Sequence, residues 1–172
     1  MLMFLFPVLG SAELENRSYL DESIKGFRLY KRPKVTIPAG WKEHEAAGQE
    51  LQGVFLVRNG KEPQNSEVTI YAIAVRKADP SETLQSFIKE DIENFKNGAN
   101  QGVVTKTADF NNTAGQLTAY RFSYNNEGKR FVQTTVFMEE AGYFLSFVLT
   151  GKSLAAHDSG LSTFTLILST YR

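Results

Sequence analysis

Lys129-Arg130-Phe131-Val132-Gln133-Thr134-Thr135-Val136-Phe137-Met138, then Glu139-Glu140-Ala141-Gly142, then Tyr143-Phe144-Leu145-Ser146-Phe147-Val148-Leu149-Thr150 is the stretch that decides the fold class. Both outer runs are rich in β-branched and aromatic residues, which suit a pleated, packed surface, so they read as strands. Val103 to Phe110 and Gln116 to Tyr124 have the same character. The joints Asn111-Asn112-Thr113-Ala114-Gly115, Asn125-Asn126-Glu127-Gly128 and Glu139-Glu140-Ala141-Gly142 each hold a Gly or Asn able to take positive φ. Strands joined this tightly form an antiparallel meander, because parallel neighbours need a long crossover.

Upstream, Asp79-Pro80-Ser81-Glu82 combines an acceptor for free N–H groups, a proline suited to a first turn and a capping glutamate. A helix is predicted from there, with Leu84, Phe87, Ile88, Ile92 and Phe95 as its apolar stripe and Gly98 placed to end it. A second helix is predicted over Ser159 to Tyr171, where Leu161, Phe164, Ile167, Leu168 and Tyr171 recur behind Asp158-Ser159-Gly160. Earlier strands are expected at Phe27–Tyr30 and Val35–Ile37, separated by a solvated corner Lys31-Arg32-Pro33-Lys34, and again at Gln52–Val57. Pro38-Ala39-Gly40-Trp41 turns the chain. Glu67 to Arg76 is almost wholly apolar in its centre and reads as a central strand covered on both faces. The order of strands, helix, antiparallel strands, helix gives an α+β fold: a sheet of about six to seven antiparallel strands flanked by helices.

At 172 residues the chain has the size of one domain and can bury roughly 70% of its unfolded surface. Lys+Arg and Asp+Glu are equal at 19 each, so no whole-molecule field draws it to nucleic acid or to an anionic membrane. Cysteine is absent from the sequence, which removes disulfides, thiolate nucleophiles, cysteine metal sites and a lipidated cysteine.

Met1 to Leu9 is an apolar run about half the length needed to span a bilayer, broken by Pro7 and followed by Gly10-Ser11-Ala12. Small residues stand three and one positions before a cut at Ala12/Glu13, as at the end of a signal peptide. No Lys or Arg precedes the run, so residues 1–12 read as a truncated signal peptide whose natural start codon lies upstream. A buried strand over Met3 to Leu9 is the alternative. Residues 13–25 are polar without clear period and read as a lead-in or tether, leaving 26–172 as a single domain. The compartment expected from this is periplasmic or secreted, without a transmembrane span.

No catalytic, cofactor-binding or metal constellation emerges. Gly151-Lys152-Ser153 invites comparison with a phosphate-binding loop, but the required first glycine falls at Ser146, inside a strand. His44 and His157 are isolated, and in Glu43-His44-Glu45 alternate side chains diverge, which reads as a solvated edge. No G-x-S-x-G turn presents a serine. Glu139-Glu140 and Glu90-Asp91 are adjacent pairs, whereas acid/base work needs two carboxyls facing one cleft. Lys25, Arg28, Lys31, Arg32 and Lys34 suit protection of a strand edge, with anionic-surface binding as the alternative. The aromatics Tyr120, Phe122, Tyr124, Phe131, Phe137, Tyr143, Phe144 and Phe147 read as cross-strand packing before they read as a binding surface.

Pro38-Ala39-Gly40-Trp41, the capped helix, Tyr120-Arg121-Phe122 with Gln133-Thr134-Thr135, Gly142-Tyr143-Phe144-Leu145 and the terminal Leu168-Ser169-Thr170-Tyr171-Arg172 together resemble the PsbP-like superfamily over about Phe27 to Arg172. That group includes DcrB-type periplasmic proteins and shares its fold with the Ran nucleotide-release factor. The resemblance implies an α/β/α sandwich on an antiparallel sheet. It also implies a non-enzymatic accessory, chaperone or binding module acting on another envelope or exported protein. No ligand set here matches the manganese-associated role of photosynthetic relatives. A small-molecule ligand stays open, as do a hydrolytic enzyme of unrecognised type and a structural envelope component.

Overall fold

The computed structural model describes residues 14–21, 23–97, 102–112, 115–126 and 129–171, with side chains for all of these except 111–112, 115–116, 124–126 and 129–130. The leader, Gly98 and parts of two predicted turns lie outside the described residues. The centre is the hairpin of β9 (Lys129–Glu140) and β10 (Tyr143–Gly151), paired antiparallel from Tyr143↔Glu140 to Gly151↔Val132. Ala141 and Gly142 both take positive φ in the joint, as a two-residue turn matching strand twist requires. On one side follow β8 (Gly115–Asn126) and then β6 (Val103–Lys106), with β7 (Phe110–Asn112) on the same edge of β8. On the other side follow β5 (Val68–Arg76), β4 (Gly53–Arg58) and β3 (Trp41–Glu43). The order is β3-β4-β5-β10-β9-β8-β6, antiparallel throughout. The α+β fold expected from the sequence is the one observed.

Side chains alternate across the sheet, so its two faces carry different helices. Leu145, Phe147 and Leu149 of β10, with Val136 and Met138 of β9 and Ile70 of β5, meet α3 (Leu154–Thr170) through Phe164, Ile167 and Leu168. On the opposite face, Phe122 and Phe137 meet α2 (Leu84–Asn97), whose Ile88 is the one helix residue classed as buried. At about 1.5–3 kcal/mol for a fully buried side chain of this kind, α3 is held far more firmly than α2. Trp41 adds to the α3 side, donating from Nε1 to Thr163 Oγ1 at 3.1 Å beneath the Arg58 guanidinium, which lies 4.6 Å from the ring centroid.

Several boundaries differ from the sequence reading, each for a local reason. The lead-in is a strand: β1 (Leu14–Asp21) pairs along its whole length with β2 (Gly26–Pro33) in a separate two-stranded sheet. Both of its faces are largely solvated beyond the base, so no apolar period marked it. The basic corner is the end of β2, Arg32 is buried, and Val35–Ile37 is irregular chain following Pro33. A short helix α1 (Glu45–Leu51) occupies the expected solvated edge, with His44 as its cap. Helix α2 begins later than its proline: Thr83 Oγ1 accepts from Ser86 N–H while Thr83 N–H donates to Ser86 Oγ, a reciprocal cap. Helix α3 begins earlier, capped by Ser153, whose hydroxyl accepts from Ala156 N–H at 3.1 Å. The strand expected over Val103–Phe110 is interrupted at 107–109, where Asp109 Oδ1 accepts from Ala119 N–H.

Helix α3 starts so close to β10 that a Cβ on Gly151 would run into the backbone of His157. We expect Gly151→Ala to destabilise the protein by about 1–3 kcal/mol through overpacking, measured as a lower urea midpoint with unchanged slope.

Candidate functional site

The residues singled out in the sequence scatter. Gly151 closes the β10–β5 ladder opposite Val68, and Lys152 N–H donates to Glu67 O at 2.9 Å, so this backbone is committed to structure. His44 Nδ1 accepts from Ala47 N–H at 3.2 Å, which leaves Nε2 to donate to Glu62 Oε2 at 3.1 Å. His157 is wholly buried, with Nδ1 3.0 Å from Asp158 Oδ1 and Nε2 2.9 Å from Thr134 Oγ1. Hydroxyl, imidazole and carboxylate follow one another as in a nucleophilic relay. Thr134 is itself 2% exposed beneath α3, so the hydroxyl has no approach and the trio pins β9 to the helix. Glu139 and Glu140 diverge: Glu139 pairs with Lys77, and Glu140 accepts from the Tyr171 hydroxyl at 2.8 Å on the α3 face. Burial, then that carboxylate, raise the Tyr171 pKa. Among the described residues no three His, Cys, Asp or Glu side chains gather to hold a metal ion.

The basic cluster divides. Arg32 lies buried between Glu15 of β1 and Glu43 of β3, and donates to both. Burial pulls Glu15 upward, but the hydrogen bonds and charges of Arg32 and Arg17 outweigh it, leaving the carboxyl below its ordinary value. Arg28 pairs with Asp21 near the hairpin turn, and the Lys31 ammonium lies 5.4 Å from the Tyr143 ring centroid. Arg32 thus clamps the base of the hairpin to the main sheet, and the rest of the hairpin projects. The register places Leu20, Phe27 and Leu29 on one face, which passes through Ser18 and the Asn16–Lys31 pair before reaching Leu14 and Pro33 at the base. They are 59%, 72% and 81% exposed, and Ile24 in the turn is 55% exposed. The sequence marks one part of this arm, Phe27–Tyr30, as a strand, but not its pairing with residues 14–21.

Two clefts flank α2, because the helix sits mainly over β8 and β9 and covers only part of the neighbouring strands. Toward β6 and β8 lies a groove of about 700 Å³ floored by Leu84, Ile88, Ile92 and Tyr120 and rimmed by Lys89, Glu93, Lys96 and Lys106. Toward β5 and β10 lies a cleft of about 490 Å³ with Phe87, Phe144 and Val75 on its apolar side and Glu82, Glu90, Asp91, Ser86, Asn94 and Arg76 around it. The Phe87 and Phe144 rings stack at 4.7 Å. The fold thus carries the pair Glu90-Asp91 to a cleft. Burial raises the Asp91 pKa. Burial also pushes Tyr71 up to about 12, with the Asp91 charge adding to the effect. Of the aromatic set, Phe147 packs under α3, Phe122 and Phe137 under α2, and Phe144 and Tyr120 line the clefts.

No family model matches the chain, and no curated protein matches it. Solved structures do. The chain is similar to PA94 of Pseudomonas aeruginosa, a protein of unknown function, with a TM-score of 0.54 and 12% identity over 90% of this chain and 94% of that one. It is also similar to the Ran-binding protein Mog1p of Saccharomyces cerevisiae, at 0.46 and 10% over 91% and 93%, and to PsbP of Synechocystis sp. PCC 6803, at 0.44 and 15% over 93% and 92%. The first of these likenesses shows the fold, which this chain shares with PA94. At these identities the likeness concerns architecture alone. Among the described residues no helix is long and apolar enough to cross a membrane.

The raised Asp91 carboxyl has a stability signature. Below the ordinary aspartate value near 3.8 it is protonated folded and unfolded and costs nothing; as pH rises through the higher folded value, ionisation increasingly disfavours the folded state. Asp91→Asn is therefore expected to raise the thermal midpoint at neutral pH and to lose that advantage below about pH 3. Paired melts across pH check this.

Proposed function

We propose that this chain is a non-enzymatic binding or accessory module that works by protein–protein contact through the β1–β2 arm. The carrying observation is the apolar face of Leu20, Phe27 and Leu29, extended by Ile24 at the turn and left in solvent on an element fixed only at its base. A two-stranded hairpin with one apolar face is marginal by itself in water, and contiguous exposed apolar surface marks a contact site. Setting aside the buried Arg32, the hairpin holds four basic and three acidic residues over 14–33, so the partner surface that fits it is chiefly apolar. The burial of Thr134 and His157 under α3 supports a non-enzymatic reading. The leader-type sequence of residues 1–12 supports an exported location, with the partner in the envelope or secreted.

The test is affinity capture from envelope extract with the wild type and with Phe27→Ser/Leu29→Ser. Because both side chains are exposed, the double variant should melt within a few degrees of the wild type. A defined set of proteins held by the wild type and lost by the variant supports the proposal. Equal recovery by both, or no specific recovery by the wild type, contradicts it.

A further inference from the structure

We infer that the cleft between α2 and strands β5 and β10 binds a small organic cation, an ammonium on an apolar or aromatic body, with Asp91 as its counter-ion. This site is separate from the arm and does not depend on the role assigned to it. The cleft volume of about 490 Å³ lies within the range of small-molecule sites. Its apolar side is the stacked pair Phe87 and Phe144 with Val75, enough to receive a ring or short alkyl chain.

Charge selects the sign of the ligand. Glu82, Glu90 and Asp91 face Arg76 alone among cations lining the cleft, so an anion would meet excess negative charge. Glu82 is partly committed, since its Oε2 accepts from Ala78 N–H at 3.0 Å and closes the loop before α2. Asp91 has no hydrogen-bond or ion-pair partner among the described residues, yet it is partly buried beside the aromatic pair. A carboxylate withdrawn from water without a partner destabilises its protein, and a bound ammonium removes that cost while placing its body on the rings. The Phe144 ring already receives a cation: Lys77 Nζ lies 4.9 Å from its centroid. Across α2 the rim holds Lys89, Lys96 and Lys106 against Glu93 alone, so the helix separates an acidic cleft from one of net positive charge.

The experiment is calorimetric titration of the full chain with phenethylammonium, 2-phenylethanol and 3-phenylpropionate, which share a ring and differ in charge, with amide shifts mapping the site. Saturable binding of the ammonium, shifts over Ser86–Asn94, and at least about tenfold weaker binding by Asp91→Asn support the inference. Glu90→Gln, a second variant on the exposed flank, should weaken binding less. Melts of both variants show that they are folded. Equal binding of the alcohol or the carboxylate, unchanged affinity in Asp91→Asn, or no saturable ammonium binding overturns it.

Discussion

Between Tyr143 and Gly151 successive side chains of β10 point alternately toward α3 and away from it, and from Phe144 to Leu149 every one is buried. A strand in this position has no wet face. It must have a paired strand on each edge and a layer over each side, which β9, β5, α3 and α2 supply. The requirement is strict because a one-residue slip would exchange Phe147 for Ser146 on the α3 side and move every other contact with it. Tight turn geometry at Ala141-Gly142 fixes the register from one end, and the close approach of Gly151 to His157 fixes it from the other.

The two covering layers are unequal, and the surfaces proposed to bind lie where cover is thinnest. Helix α3 buries Phe164, Ile167 and Leu168 and ties its first turn to β9 through His157 and Thr134. Helix α2 buries Ile88 and leans on ring contacts such as Phe95 with Phe122 at 5.0 Å, so clefts remain along both flanks. The β1–β2 hairpin is a third case. Its base joins the core through Leu14, Pro33 and the Arg32 bracket, while its outer half contributes nothing to that core. A carboxylate kept unpaired in a cleft and apolar side chains kept in water both cost stability, the pattern expected where function constrains sequence.

How much of this was legible follows from what each element buries. Strands β8 to β10 and the stripe Leu84, Phe87, Ile88, Ile92, Phe95 could be read because their periodicity reports a buried face directly. Strand β1 could not, since Glu15, Arg17 and Asp21 on one face and Asn16 and Ser18 on the other give no apolar alternation; backbone pairing with β2 defines it. The start of α3 was missed because its inward positions include His157 and Gly160, a polar ring satisfied by Thr134 and a glycine chosen for closeness to Leu149 and Val68. Asp91 was visible as half of an acidic pair, but only the crossing of α2 over the sheet shows that it sits beside Phe144.

The body is held by a doubly buried strand, whereas the arm depends on its base alone. Native-state hydrogen exchange resolves the two. Amides of β10 from Phe144 to Leu149 should exchange only through global unfolding, whereas those between Ser18 and Leu29 should exchange orders of magnitude faster and should not track global stability. Arm amides as protected as those of β10, in the isolated protein, would contradict the account.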